Sequence, residues 1–263
     1  MKNNALSSEE ASQLYFEMQA AFGFTKHTGG LKATKELIGV CQIGEGKYVL
    51  DVGCGVGRTT CYIAKRYNCR VVGVDISKGM IDRSNERAKR QGVENRVGFK
   101  VADAQDLPFE NALFDAVISE SVTAFPEDKQ RAVSEYRRVT KPGGCVGLNE
   151  TTWIKTPPPE LAEYFTHLSG AKPETSDGWR ELLEGSGLQD LVVRTYKISA
   201  LDQWINEIRG LDFRDYLGAW YRFLSLLIKS PACRRFAREA LSMPKNIFSL
   251  FKYLGYGIYV GRK

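Results

Sequence analysis

The stretch Val49-Leu-Asp-Val-Gly-Cys-Gly-Val-Gly-Arg-Thr-Thr60 decides the fold: an apolar run ends in an acid and then in three glycines spaced two apart. Tyr48, Val49, Leu50 and Val52 suit a strand buried on both faces. Residues 58–67 are helix formers with Tyr62 and Ile63 on one side. Between them, Gly53, Gly55 and Gly57 let the backbone turn sharply and let a ligand approach amides that a Cβ would shield. The helix start behind the turn offers free N–H groups to a carboxylate or phosphate, with a dipole contribution of about 0.3–1 kcal/mol. The whole reads as strand, tight glycine turn, helix.

Outward from this unit, strands and helices alternate. Strands are predicted over 70–74, 97–101, 114–119 and 145–150, and helices over 78–91 and 128–140. Such alternation predicts an α/β, Rossmann-like, doubly wound sheet with right-handed crossovers, whose ligands sit beyond the carboxyl ends of the strands. Those ends carry Asp51, Asp75, Asp103, Glu120 and Glu150 in turn. One acid at a strand end is often a cap or a solubility residue. Five in succession on one rim point to a site.

Ahead of the first strand, Ser7 and Glu10 resemble a capping box opening a helix over 7–22. The loop Phe24-Thr-Lys-His-Thr-Gly-Gly30 and a helix over 31–40 follow. Beyond Glu150 the alternation lapses into Pro157-Pro-Pro159, helices over 160–168 and 176–184, and a strand over 188–199. Residues 201–254 turn helical and aromatic, and 255–263 read as a last strand. The chain is therefore expected to form one domain, 1–263, with N-terminal helices (1–46) covering the site and a helical cap (200–254) inserted before the last strand.

A length of 263 residues fits one α/β domain with an insertion. No apolar run reaches the 18 residues of a membrane span, and the N-terminus lacks the apolar core of a signal peptide. Six scattered cysteines without a C-x-x-C pair, and only two histidines, argue for reduced thiols and against zinc; a cytoplasmic enzyme without metal is expected. The net charge of +6 is uneven. Residues 216–263 hold nine basic residues against one acid, Glu239, a net +8 that leaves the first 215 residues at −2.

Glycine turns after a first strand also serve nicotinamide enzymes, whose G-x-G-x-x-G would place its third glycine at 58, where Arg58 stands. Here the pattern is D-x-G-x-G-x-G. Joined to Asp75 and to Asp103-Ala104, it resembles the class I S-adenosylmethionine-dependent methyltransferases, of the small-molecule, methyltransferase type 11-like kind. The resemblance covers 47–150. It implies a seven-stranded, mostly parallel sheet with an antiparallel last strand, S-adenosylmethionine as cofactor and S-adenosylhomocysteine as product.

The resemblance also assigns roles to matching positions. Asp75 would accept from both ribose hydroxyls, and Ile76 and Met80 would sandwich the adenine. Asp103 and the Ala104 amide would meet the ring's amino group and a ring nitrogen. Gly53, Cys54 and Gly55 would lie against the methionine half, with Asp51 orienting the turn or reaching the amino group. Glu120 would lie beneath the sulfonium. Gly29 and Gly30 would form an amide nest for the methionine carboxylate.

Methyl transfer is an in-line displacement, so a base is needed only where the nucleophile is protonated. His27 and Glu150 are the catalytic candidates; each has a plainer reading, His27 as a helix cap and Glu150 as a cap for the next segment. Tyr15 is more readily core. The expected acceptor is a small organic molecule. The aromatic cap favours C- or O-methylation of an apolar or prenylated ring, whereas Glu120 and Glu150 favour N-methylation of a small amine. A non-catalytic S-adenosylmethionine-binding module is the alternative of another class. The cap's aromatics suit packing. With the +8 charge they also suit peripheral contact with an anionic membrane. Nucleic acid ranks last, because Ser119-Glu-Ser-Val stands where base-amino methyltransferases carry N-P-P-Y.

Overall fold

The computed structural model describes residues 27–198 and 247–263, with positions 218, 221, 224, 225, 228–231, 233 and 234 between them. The expected helix over 7–22, Tyr15 within it and most of the expected cap lie outside the described residues. The described elements are α1 (Gly30–Val40), β1 (Tyr48–Val52), α2 (Arg58–Tyr67), β2 (Arg70–Asp75), α3 (Lys78–Gln91), β3 (Val97–Val101), β4 (Phe114–Glu120), α4 (Lys129–Val139), β5 (Thr140–Trp153), α5 (Pro159–Ser169), β6 (Glu174–Thr175), α6 (Ser176–Gly185), β7 (Gln189–Lys197), a 3₁₀ turn (Ile247–Lys252) and β8 (Leu254–Arg262).

The sheet runs β3-β2-β1-β4-β5-β8-β7. Pairing is parallel from β3 to β5, and β8 lies antiparallel between β5 and β7. The Rossmann-like α/β fold and its antiparallel last strand are as the sequence predicts. The addition is β6, two residues that extend the edge of β5 at Thr152 and Trp153. The order reverses between β1 and β4, where a doubly wound sheet opens its ligand crevice.

Successive residues of the central strands feed opposite cores, as strands covered on both faces must. Val49, Val71 and Ile118 pack with Leu37, Ile38, Cys61 and Ile63 of α1 and α2. Leu50, Val117 and Leu148 pack with Val133 and Tyr136 of α4 and with Trp179 and Leu183 of α6. Tyr136 and Trp179 are fully buried. All six cysteines are buried free thiols. No helix among the described residues is long and apolar enough to cross a membrane.

Candidate active site

The glycine turn is closed by its own backbone. The amides of Gly53 and Cys54 donate to Val74 O at 2.7 and 2.9 Å, which hooks the end of β1 to the end of β2. Gly53 sits at φ +71°, and a Cβ there would lie 2.1 Å from Val122 Cγ2, so Val122 closes onto the face of the turn.

Asp75, the last residue of β2, clasps the turn from the other side. One carboxylate oxygen accepts from Gly55 N and the other from Ser77 N, each at 2.9 Å. Burial pushes its carboxyl up, against these two amide bonds. Ile76 beside it is 69 % exposed, and Val101, paired with Asp75 across the sheet, is 47 % exposed, so the two offer an open apolar wall. Met80, in the first turn of α3, is on the helix's buried face, 4 % exposed, and is no part of that open surface. Asp103 turns back on its own loop, accepting from Gln105 N at 2.8 Å, and Ala104 packs against the α4 side of the core.

Asp51 faces inward and accepts from Thr60 Oγ1 at 2.6 Å, tying the first turn of α2 to β1. Burial pushes its carboxyl up to about 7, with Glu120 and Asp75 adding to the effect and Thr60 opposing it. Glu120 ends β4 at the centre of a polar cluster. It accepts from Thr59 Oγ1 at 2.8 Å, Thr34 Oγ1 at 2.9 Å and Asn149 Nδ2 at 3.2 Å. His27 Nε2 lies 2.9 Å from Thr34 Oγ1 and 3.6 Å from Glu120.

The same cluster seats the loop before α1. Asn149 Nδ2 donates to Thr28 O at 2.9 Å, and Thr28 N donates to Ser121 Oγ at 3.2 Å. Ser121 turns the chain off β4 in the left-handed region, φ +57°. Gly30 opens α1, and its amide contacts His27 O at 3.4 Å.

Glu150 points away from all of this. Glu120 is in register with Asn149, so the next residue of β5 projects from the opposite face. Its Oε1 accepts from Val122 N and Thr123 N at 3.0 and 2.7 Å, and its Oε2 has no hydrogen-bond partner among the described residues. Burial pushes its carboxyl up to about 7, against those amide bonds. Glu150 thus holds the loop after β4 from beneath. Thr34, Thr59 and Asn149 join the cluster, and Thr60 meets Asp51, without having been expected from the sequence. One signal was available, Thr59-Thr60 directly after the glycine turn; that Asn149 rather than Glu150 lies beside Glu120 comes from the register of β4 and β5.

A family model described as "Methyltransferase domain" matches residues 49–144. The 27-O-demethylrifamycin SV methyltransferase of Amycolatopsis mediterranei (strain S699) is 34% identical over 218 residues, a match covering 71% of this chain and 80% of that protein. The chain belongs to the class I S-adenosylmethionine-dependent methyltransferase family. Phosphoethanolamine N-methyltransferase 3 of Arabidopsis thaliana is 28% identical over 222 residues, 79% of this chain. The chain spans only 44% of the length of that relative. Among solved structures, a SAM-dependent methyltransferase from Geobacter sulfurreducens, in complex with S-adenosyl-L-homocysteine, shares the fold with a TM-score of 0.71 at 19% identity, covering 95% of this chain and 97% of that one.

S-adenosylmethionine is the methyl donor of this family, and the rim of this methyltransferase suits it. The Asp75 oxygens keep lone pairs for a diol beyond the two amides they already accept. The Ile76–Val101 wall suits a flat ring. The glycine turn suits a chain laid across it.

Proposed function

We propose that this methyltransferase O-methylates a small, apolar, ring-bearing acceptor, with His27 as the base. The observation that carries the reading is the seat of His27. Its imidazole, 13 % exposed, stands at the strand-end rim with Nε2 2.9 Å from Thr34 Oγ1 and 3.6 Å from Glu120. Of the carboxylates that could hold an ammonium, Glu120 is already engaged by Thr34, Thr59 and Asn149, and Glu150 lies buried beneath the loop on the opposite face of the sheet. A hydroxyl acceptor needs only a base. The name of the Amycolatopsis relative, 27-O-demethylrifamycin SV methyltransferase, refers to methylation at an oxygen, which supports the same choice.

When bound, S-adenosylmethionine supplies an electrophilic methyl group. Asp75 holds the adenosyl end, the apolar wall at Ile76 sets the ring, and the glycine turn fixes the remainder. Holding the acceptor oxygen in line contributes on the order of 7–11 kcal/mol of the barrier. His27 takes the hydroxyl proton as that oxygen gains the methyl, which adds roughly 10²–10⁴-fold.

Product mass after incubation with S-adenosylmethionine and separate panels of phenols, hydroxylated prenyl rings and phosphoethanolamine tests the assignment. A mass gain of one methyl on hydroxyl acceptors, lowered about 10²-fold or more by His27→Asn, is expected. Methylation of phosphoethanolamine alone would establish the second reading, N-methylation, which the plant relatives favour. Calorimetry tests the shared premise: Asp75→Ala is expected to weaken S-adenosylmethionine binding by more than about tenfold, since bonds to a charged group are worth roughly 1.5–3 kcal/mol. The basic segment 216–263 is proposed to bring the enzyme to an anionic membrane carrying an apolar acceptor.

A further inference from the structure

His27, Thr34 and Glu120 come from a loop, a helix and a strand end, and they meet at one hydroxyl. Thr34 Oγ1 is 2.9 Å from His27 Nε2 and 2.9 Å from Glu120 Oε2. The direct separation of His27 Nε2 and Glu120 Oε2, 3.6 Å, is too long for a hydrogen bond. Thr34 therefore carries the link. A hydroxyl has one proton to give and lone pairs to receive with.

Two acceptors compete for that proton besides the ring. Gly30 O is the longer at 3.4 Å. Glu120 is a carboxylate already receiving from Thr59 and Asn149, and it presents Thr34 with lone pairs alone. The proton points to Glu120. The Thr34 oxygen then meets the imidazole with a lone pair, so Nε2 must carry the ring hydrogen, and Nδ1 is left as the nitrogen with the lone pair.

We propose that Thr34 is a positioning residue: it holds neutral His27 in the Nε2–H tautomer, so that Nδ1 is the atom that receives the acceptor's proton. The tautomer stands on the geometry alone. Its catalytic use rests on the reading of His27 as the base. Thr34 is suited to the task because it is 1 % exposed inside α1, and its hydroxyl is held between the His27 ring and the Glu120 carboxylate.

His27 and His167 are the only histidines, so a chain carrying His167→Gln reports His27 alone. Long-range ¹H–¹⁵N correlation on that full chain is read at a pH where titration of the same signals is complete. A protonated-type Nε2 and an unprotonated-type Nδ1 are expected, unchanged in Thr34→Ser and shifted toward the tautomer average in Thr34→Val. A protonated Nδ1 in the parent, or a Thr34→Val spectrum identical to it, overturns the proposal. In turnover, Thr34→Val is expected to lower kcat about tenfold or more, with the KM for S-adenosylmethionine within about twofold and Thr34→Ser restoring most of the rate. A loss confined to KM overturns the catalytic half. Full activity of His27→Asn would instead remove the base itself, and the spectrum still decides the tautomer.

Discussion

At the scale of single residues, Glu120 and Glu150 show how one position along a strand changes a carboxylate's work. Glu120 shares its face of the sheet with the loop before α1 and gathers Thr34, Thr59 and Asn149. Glu150, one step past the register partner of Glu120, is sealed beneath the loop at Val122 and Thr123. Its folded-state pKa of about 7 lies above its ordinary 4.5, so the native protein binds a proton that the unfolded chain releases. The associated stability is complete below about pH 4.5 and is lost as pH rises through 7. Asp51, raised to about 7, contributes with the same sign. Thermal midpoints of the wild type are therefore expected to fall between pH 6 and pH 8.5, as read by circular dichroism. Glu150→Gln, which cannot ionise, should show a smaller fall; an equal fall would mean that Glu150 ionises freely in the folded state. The sequence exposes both carboxylates as strand-end acids. Their faces follow only from the Glu120–Asn149 register, which depends on a bulge between Phe114 and Ala116 that no local pattern announces.

At the scale of elements, α1 is the piece whose docking shapes the site, because it carries Thr34 and follows the His27 loop. Glu36 receives Arg194 Nη1 at 2.8 Å and the Tyr196 hydroxyl, and Tyr196 stacks on Tyr256 with ring centroids 4.9 Å apart. Tyr256 in turn closes on Gly29. A Cβ at Gly29 would stand 2.6 Å from that ring, and its φ of +79° belongs to the left-handed region. Gly29→Ala is expected to cost about 1–2 kcal/mol from the backbone alone, roughly 2–8 °C in Tm, with weaker S-adenosylmethionine binding as the loop lifts. Gly39 lies inside the same helix with nothing within 4 Å of its would-be Cβ. Gly39→Ala should raise Tm, since alanine is favoured there by about 0.5–1 kcal/mol. Equal effects from the two substitutions would show that helix propensity, not the seat against Tyr256, governs position 29. The loop, its glycines and the helix are legible in the sequence. The anchor is not, because Arg194, Tyr196 and Tyr256 lie some 160 to 230 positions away along the chain.

At the scale of the whole molecule, local alternation predicts the sheet well because each βαβ unit contains its own turn, helix and return strand. The charge is uneven along the chain: +8 over 216–263 against −2 over the first 215 residues. Among the described residues of that segment, Tyr221 and Ile228 are each 76 % exposed and Leu224 is 51 % exposed, at spacings of three and four that fall on one side of a helix. Lys229 is exposed beside them. Apolar residues and cations facing outward together suit the interface of an anionic bilayer, where each nearby Lys or Arg contributes about 1 kcal/mol within a Debye length. The enzyme is therefore expected to float with phosphatidylserine-containing liposomes at low salt and to be released as the ionic strength approaches 1 M, where screening shortens to about 3 Å. Tyr221→Ser together with Ile228→Ser should weaken flotation while leaving S-adenosylmethionine affinity unchanged. Equal flotation with neutral phosphatidylcholine liposomes would mean that the basic charge plays no part, and absence of flotation at low salt would leave the acceptor to reach the site from solution.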